Sequence, residues 1–172
     1  MPMGFRMPTF RITAFPVHWL EESNSFSNSS RIEWSTGEKT QPGDIQVFAV
    51  SATLGHRQDL ADDPRRDAVH SIWKALTPPL PELGNEEWPI QAKFRLLVKL
   101  DNPVPKVDLI RAGLLKGAWP RNSRGKLLTT HSAVKTLANI LATKNPDQRR
   151  AIFVALEIPY AGVGNRNRPG IA

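Results

Sequence analysis

Arg31-Ile32-Glu33-Trp34-Ser35-Thr36-Gly37-Glu38-Lys39-Thr40-Gln41-Pro42-Gly43-Asp44-Ile45-Gln46-Val47-Phe48-Ala49-Val50-Ser51-Ala52 is the stretch on which the fold turns. A tryptophan with small polar neighbours comes first (Trp34, Ser35, Thr36). A Pro-Gly-Asp turn follows at Pro42–Asp44, and then an apolar strand from Ile45 to Val50 that ends in Ser51. A tryptophan beside an exposed turn that feeds a barrel-like strand can form one wall of a base-binding pocket. It can equally cap the sheet as a core residue, since tryptophan is highly buried on average.

Upstream, Thr9 to Phe15 alternates Phe10, Ile12 and Ala14 against Arg11 and Thr13, the period of a first strand that Pro16 ends. Val17 to Glu22 has the length of one helical turn, and Ser23 to Ser30 is a Ser/Asn-rich loop. Downstream, Thr53 to Asp67 is a charged insert, and Val69 to Leu76 reads as a third strand closed by Thr77-Pro78-Pro79-Leu80-Pro81. Ile90, Ala92, Phe94, Leu96, Val98 and Leu100 then fall on one face of a long strand. Gln91, Lys93, Arg95 and Lys99 fall on the other, and Leu97 alone breaks the alternation. Asn102-Pro103-Val104-Pro105 turns the chain into a helix over Lys106–Leu115. Thr130 caps a second helix with Val134, Leu137, Ala138 and Leu141 as its apolar stripe, and Asn145-Pro146 stops it. Residues 149–158 fit a last strand or a helix equally well.

Length and composition set the frame. The 172 residues suit a single domain, taken as 1–160, with a flexible basic tail at 161–172. An apolar content of 40% with 23% charged residues fits a soluble globular chain. No apolar run approaches the roughly 20 residues that cross a bilayer, and no secretory signal pattern opens the chain. The absence of cysteine excludes disulfides and thiolate zinc sites, and the cytoplasm is the expected compartment. Lysine and arginine number 23 against 16 acids, a net +7, which favours a polyanionic partner, nucleic acid first. Solubility alone is the plainer, second reading of such a charge.

The five tryptophans against one tyrosine divide between core and surface roles. Trp19, in Val17-His18-Trp19-Leu20, reads as core. Trp73 suits core or cage. Trp88, before Pro89 at a strand entrance, suits a cage wall. Trp119 lies in a basic loop with Arg121, Asn122, Ser123, Arg124 and Lys126, where it covers the barrel or stacks on nucleic acid.

These pieces, in this order from about Thr9 to Ala142, resemble the EVE and YTH branches of the PUA-like superfamily. The motifs that carry the resemblance are Ile32-Glu33-Trp34-Ser35-Thr36 with Lys39, Pro42-Gly43-Asp44 before Val47–Ser51, and Trp88-Pro89 before Phe94–Leu100 and Pro103-Val104-Pro105. Asn122-Ser123-Arg124-Gly125-Lys126 before the capped helix completes the set. The resemblance implies an α+β fold, a PUA-like small β-barrel of about five to six strands flanked by helices. It implies binding of DNA or RNA with one extruded, often methylated base held in an aromatic cage. Trp34, Trp73 and Trp88 would then wall the base, with Ser35, Thr36 and Ser51 on its edge. Lys39, Trp119, Arg121, Asn122, Ser123, Arg124 and Lys126 would lie along the backbone. No cofactor or metal is implied. The Gly-rich turn usual after the pocket-floor strand is replaced here by Ala52-Thr53-Leu54-Gly55 and the charged insert, and the first strand lacks an aromatic pair.

An enzyme is not expected. His56, His70, Asp59, Asp62, Asp63 and Asp67 lie close in sequence, but their spacing matches no metal or hydrolytic motif. Acids alternating with Arg57, Arg65 and Arg66 read as a self-paired loop. No nucleophile elbow, P-loop or dinucleotide glycine pattern is present. A basic protein-interaction or inhibitory module is the alternative to a base reader, and a metal-dependent nuclease the more distant one.

Overall fold

A computed structural model of the chain describes residues 6–19, 29–120 and 125–159. Among the described residues six strands make one mixed sheet: β1 (Phe10–Pro16), β2 (Arg31–Ser35), β3 (Ile45–Ser51), β4 (Ala68–Ala75), β5 (Gln91–Pro105) and β6 (Lys126–Leu128). Their order is β2-β5-β4-β3-β1-β6, with β1 and β3 parallel and the other neighbours antiparallel. Three helices follow the long strand: α1 (Lys106–Arg111), α2 (His131–Lys144) and α3 (Arg149–Ala155). The chain is therefore α+β, with the six strands at the upper end of the expected number.

The sheet curls into a half-barrel. Three strands separate β2 from β1 in the order, yet the rings of Phe15 on β1 and Trp34 on β2 lie 5.8 Å apart. Twisted strands bring the ends of a sheet round in this way, and the barrel stays open between β1 and β2.

β3 is buried on both of its faces, which explains its unbroken apolar run. Ile45, Val47 and Ala49 join a core with Val134, Leu137, Ala138 and Leu141 of α2 and Ile152 of α3. Phe48 and Val50 point the other way, into the concavity, with Phe15, Ile32, Trp73 and Phe94. The expected start of α2 is present: Thr130 Oγ1 accepts from the Ala133 N–H at 3.0 Å. Asn145 ends the helix as expected.

β5 departs from its expected single apolar face. Trp73 of β4 pairs with Leu96 while Ile72 pairs with Val98, so Leu97 is an extra, bulged residue. Ala92, Phe94 and Leu96 pack inside the concavity, whereas Val98 and Leu100 pack on the helix side. The expected turn at Asn102–Pro105 lies within the strand. Pairing jumps from Ser71–Lys99 to Val69–Val104, which leaves residues 100–103 outside the ladder. Side chains replace the missing ladder bonds. Asn145 Oδ1 accepts from Asn102 N at 2.7 Å and its Nδ2 donates to Asn102 O at 2.9 Å. Gln148 binds Asp101 N and Lys99 O.

Two further boundaries differ from expectation, and one open alternative is settled. Residues 31–35, to which no strand is assigned above although Ile32 and Trp34 alternate with Arg31, Glu33 and Ser35, form β2 against β5. The helix expected over Lys106–Leu115 stops at Arg111. The ambiguous residues 149–158 include helix α3, whose buried Ile152, Phe153 and Ala155 follow helical spacing. The charged insert is self-paired as expected, Arg57 with Asp59 and Arg65 with Asp63, and its Leu60 is buried in the inner core. The expected tail lies outside the described residues, as do residues 20–22 of the turn expected at Val17–Glu22.

Candidate functional site

A pocket of about 350 Å³ occupies the open seam of the half-barrel. Thr13, Ala14, Phe15 and Pro16 of β1 form one bank, and Glu33, Trp34 and Ser35 of β2 the other; Trp19, Trp88 and Gln91 complete it. Consecutive residues on both banks show that the strands present their edges to the pocket. β2 is the last strand of the sheet, and β6 pairs only with Phe10–Ile12 of β1. Strand edges carry backbone N–H and C=O groups that can read a ligand's polar rim.

The walls are aromatic. Trp34, half-buried, meets Trp19 at 5.7 Å, Phe15 at 5.8 Å and Phe48 at 5.7 Å, each ring edge-on to the next. Trp19 and Trp88 stand at 90° with centroids 6.0 Å apart, an aromatic corner. Trp88 is 36% exposed, yet its backbone is clamped: its N–H donates to Asn85 Oδ1 at 2.7 Å, and its carbonyl accepts from Asn85 N at 3.1 Å. Gly84 lies under this loop, where a Cβ would come within 2.3 Å of the Pro89 carbonyl oxygen. A fixed tryptophan loses little entropy on binding a ligand.

Behind the walls runs a buried polar chain. Thr40 and Thr36 hydroxyls share a 2.6 Å hydrogen bond, Thr36 donates to Gln46 Oε1 at 3.5 Å, and Gln46 Nε2 donates to Thr13 Oγ1 at 3.1 Å. Because Thr13 Oγ1 already accepts from Gln46, its own proton is left to donate to a ligand acceptor. The Ser35 hydroxyl, in a residue only 8% exposed, makes no hydrogen bond among the described residues. The pocket thus offers hydroxyls at opposite banks and flat apolar walls between them.

Of the residues expected from sequence, Trp34, Ser35 and Trp88 line this pocket. Thr36 is one shell behind it in the polar chain. Ser51 closes β3, its hydroxyl accepting from Thr53 N at 3.4 Å, and does not line the pocket. Trp73 is fully buried beneath Phe48 and spends its indole N–H on Ser71 Oγ at 2.8 Å, so it is core and not a wall. Trp119 packs in the helix-side core and donates to Asp67 Oδ1 at 2.7 Å, which removes it from any stacking role. Lys39 is exposed on the turn after β2, and Lys126 begins β6 with its ammonium on the Leu114 carbonyl. Arg121, Asn122, Ser123 and Arg124 lie outside the described residues. Gly125, at φ +63° and with no room for a Cβ against Ile12 O, brings the chain back beside Thr13.

Trp19 was expected in the core and instead walls the pocket; its apolar neighbours gave no hint of the seam. Thr13 was missed because it sits in an ordinary strand pattern and only the curl brings it to the pocket; Gln46, in the polar chain behind it, lies in an equally ordinary pattern.

Two titratable groups brace the sheet away from the pocket. His70 is the unpaired residue at the β3–β4 bulge; burial, aided by Lys99 and Arg65, holds its pKa down at about 4. It faces the Ser71 hydroxyl at 2.9 Å, which continues the chain from Trp73. Burial raises the Asp44 carboxyl, but the Arg6 guanidinium and the N–H groups of Thr9 and Gln41 outweigh it and hold the pKa below the usual value. Asp44 thereby ties the Pro-Gly-Asp turn to the segment entering β1. Among the described residues no group of three or more potential ligands gathers round a metal position. Nor is any helix of the described residues long and apolar enough to cross a membrane.

No protein-family model matches the chain, and no curated protein matches it. Among solved structures, the chain is similar to Rpa0253 of Rhodopseudomonas palustris, determined by NMR, at 10% identity and a TM-score of 0.46. The match covers 79% of this chain and 92% of that one.

Proposed function

We propose that the chain is a nucleic-acid-binding module that takes one extruded base, methylated or otherwise modified, into the seam pocket, in the manner implied by its EVE/YTH-like, PUA-like sequence pattern. One observation carries this reading: three tryptophans, Trp19, Trp34 and Trp88, line a site of about 350 Å³ with the Ser35 hydroxyl on one bank and the Thr13 hydroxyl on the other, on a chain of net charge +7. That volume is within the range of small-ligand pockets. Aromatic walls recover about 1–3 kcal/mol of stacking per base, while extrusion costs a few kcal/mol. The balance falls to phosphate contacts. A methyl group adds apolar surface and favours a dry aromatic wall over water.

Glu33 on the pocket's rim favours a second reading, a methylated ammonium group held by cation–π contact and a nearby carboxylate. Such groups are found on basic peptides, which a chain of this charge repels, so the base is the better ligand.

The test is binding to matched oligonucleotides, unmodified or carrying 5-methylcytosine, 5-hydroxymethylcytosine or N6-methyladenine, as DNA and as RNA, at two salt concentrations. A preference that survives the higher salt, and disappears in Trp34→Ala with the fold intact, is the expected result. Uniform binding that collapses with salt would leave only an electrostatic module, and preference for a trimethyl-lysine peptide would move the assignment to the second reading.

A further inference from the structure

The outer face of the same seam holds a feature that the base pocket does not use. Residues directly opposite one another in a sheet project from the same face. Arg31 of β2 is opposite Arg95 of β5, and Arg95 is opposite Lys74 of β4. Three cations therefore stand in one row across three strands. They face outward, because Ile32 and Trp34, Phe94, and Trp73 with Ala75 occupy the inner face of these same strands. Lys93 extends the patch along β5, opposite Glu33. Arg31, Lys93 and Arg95 are exposed and Lys74 is half-buried.

The row has no internal counter-ion. No carboxylate of the described residues lies within ion-pair distance of any of these four cations, Glu33 included. Elsewhere the molecule pairs its charges closely: Arg57 with Asp59, Arg65 with Asp63 and Arg6 with Asp44. Like charges directly opposite in a sheet repel and destabilise it. At steps of about 5 Å the row spans about 10 Å, a width that suits successive charges of a flexible polyanion.

We propose that this row is a phosphate-binding track for the single strand whose base enters the pocket. The inference rests on the function proposed above. β2 connects the two sites: Trp34 faces the pocket from it while Arg31 faces outward, and β2 is the edge of the sheet. A nucleic-acid chain with one base in the seam crosses a single strand's thickness to lay its phosphates on Arg31, Arg95 and Lys74. An anionic membrane or an acidic peptide lacks the flat group that the inner side of β2 accommodates.

The experiment compares the full chain with R31Q/K74Q/R95Q. A control, K116Q/K135Q/R150Q, removes equal charge from exposed positions outside the row. Binding to single-stranded oligonucleotides, with and without the preferred base, is followed against salt concentration. Three lost phosphate contacts make the slope of log K against log salt shallower by about 2. Affinity should fall equally for both oligonucleotides, the preference between them should persist, and the thermal midpoint should hold or rise. The control should leave more of the slope in place. Trp34→Ala should do the reverse, removing the preference and keeping the slope. An unchanged slope in the row variant, or an equal change in the control, overturns the track. So does a row variant that loses binding only to phosphatidylserine vesicles or to polyglutamate. A wild-type slope that depends on the row, without any base preference, retains the track as a nucleic-acid contact and sinks the base reader alone.

Discussion

The two faces of the sheet reach density by different means. On the helix side, branched and small aliphatic residues of β3, α2 and α3 predominate, with Trp119 and Phe153 among them. On the inner side, rings meet edge to face around Phe48, which contacts Phe15, Trp34, Trp73 and Phe94 at 5.7–6.4 Å. Aliphatic packing leaves no surface over. Edge-to-face packing does, because each contact uses the edge of one ring and leaves a face available to the next. The inner face therefore grades from closed to open: Trp73 is fully buried, Trp34 half-buried and Trp88 36% exposed. The same ring chemistry that holds the fold at one end supplies ligand walls at the other.

The largest expected effect is at the closed end. Trp73→Ala should cost about 3–5 kcal/mol in urea unfolding, as for large-to-small changes in cores. A loss below about 1 kcal/mol would mean that the inner face does not hold the fold, and the contrast would collapse. Next comes His70, kept neutral by burial at a pKa of about 4 against an ordinary 6.5. The unfolded chain takes up a proton below pH 6.5 that the folded chain refuses, so stability present above 6.5 is lost as the pH falls towards 4. The loss amounts to about 3 kcal/mol. Denaturant midpoints measured across that window should slope in the wild type and flatten in His70→Gln.

At the open end the effects are smaller and move from stability to binding. Trp88→Ala should alter stability by no more than about 0.5 kcal/mol while reducing ligand affinity by about 1–3 kcal/mol of stacking, measured by calorimetry on the preferred oligonucleotide. Equal losses in both quantities would make Trp88 a core residue after all. The smallest change expected is in the helix layer. Thr130→Ala removes the cap bond to Ala133 and should cost about 1 kcal/mol, with no change in base preference.

Much of this architecture is visible in periodicity. β1, β3, β4 and α2 were legible because each has a local pattern: alternation, a continuous buried run, or a capped stripe with 3.6 spacing. β2 was legible too and was passed over: Ile32 and Trp34 alternate with Arg31, Glu33 and Ser35, but the run is only five residues long and Trp34 drew attention to the pocket instead. Bulges were illegible in kind. Leu97 looked like a lapse in alternation and is the point at which the apolar row changes sides. Part of the candidate site could be read, Trp34, Ser35 and Trp88, because aromatic and small polar residues beside turns are a local sign. Trp19 and Thr13 needed the curl of the sheet, which no short window contains. Trp73 and Trp119 resemble the wall tryptophans in sequence, and only the partner of each indole N–H, Ser71 or Asp67, separates them.

The bulge at Leu97 acts as a half-period phase slip in a polar wave as well as an apolar one. Before the slip, Lys93 and Arg95 point outward. After it, Lys99 stands opposite Ser71, on the inner side, close enough for its charge to help hold His70 neutral. One strand thus distributes its positive charge to both surfaces of the sheet. Deleting Leu97 would leave both apolar rows in register, because Leu96 and Val98 would then simply alternate. Closing the bulge with Leu97 kept, so that the present sequence alternated without a break, would move Lys99 to the outer surface and Val98 and Leu100 into the concavity.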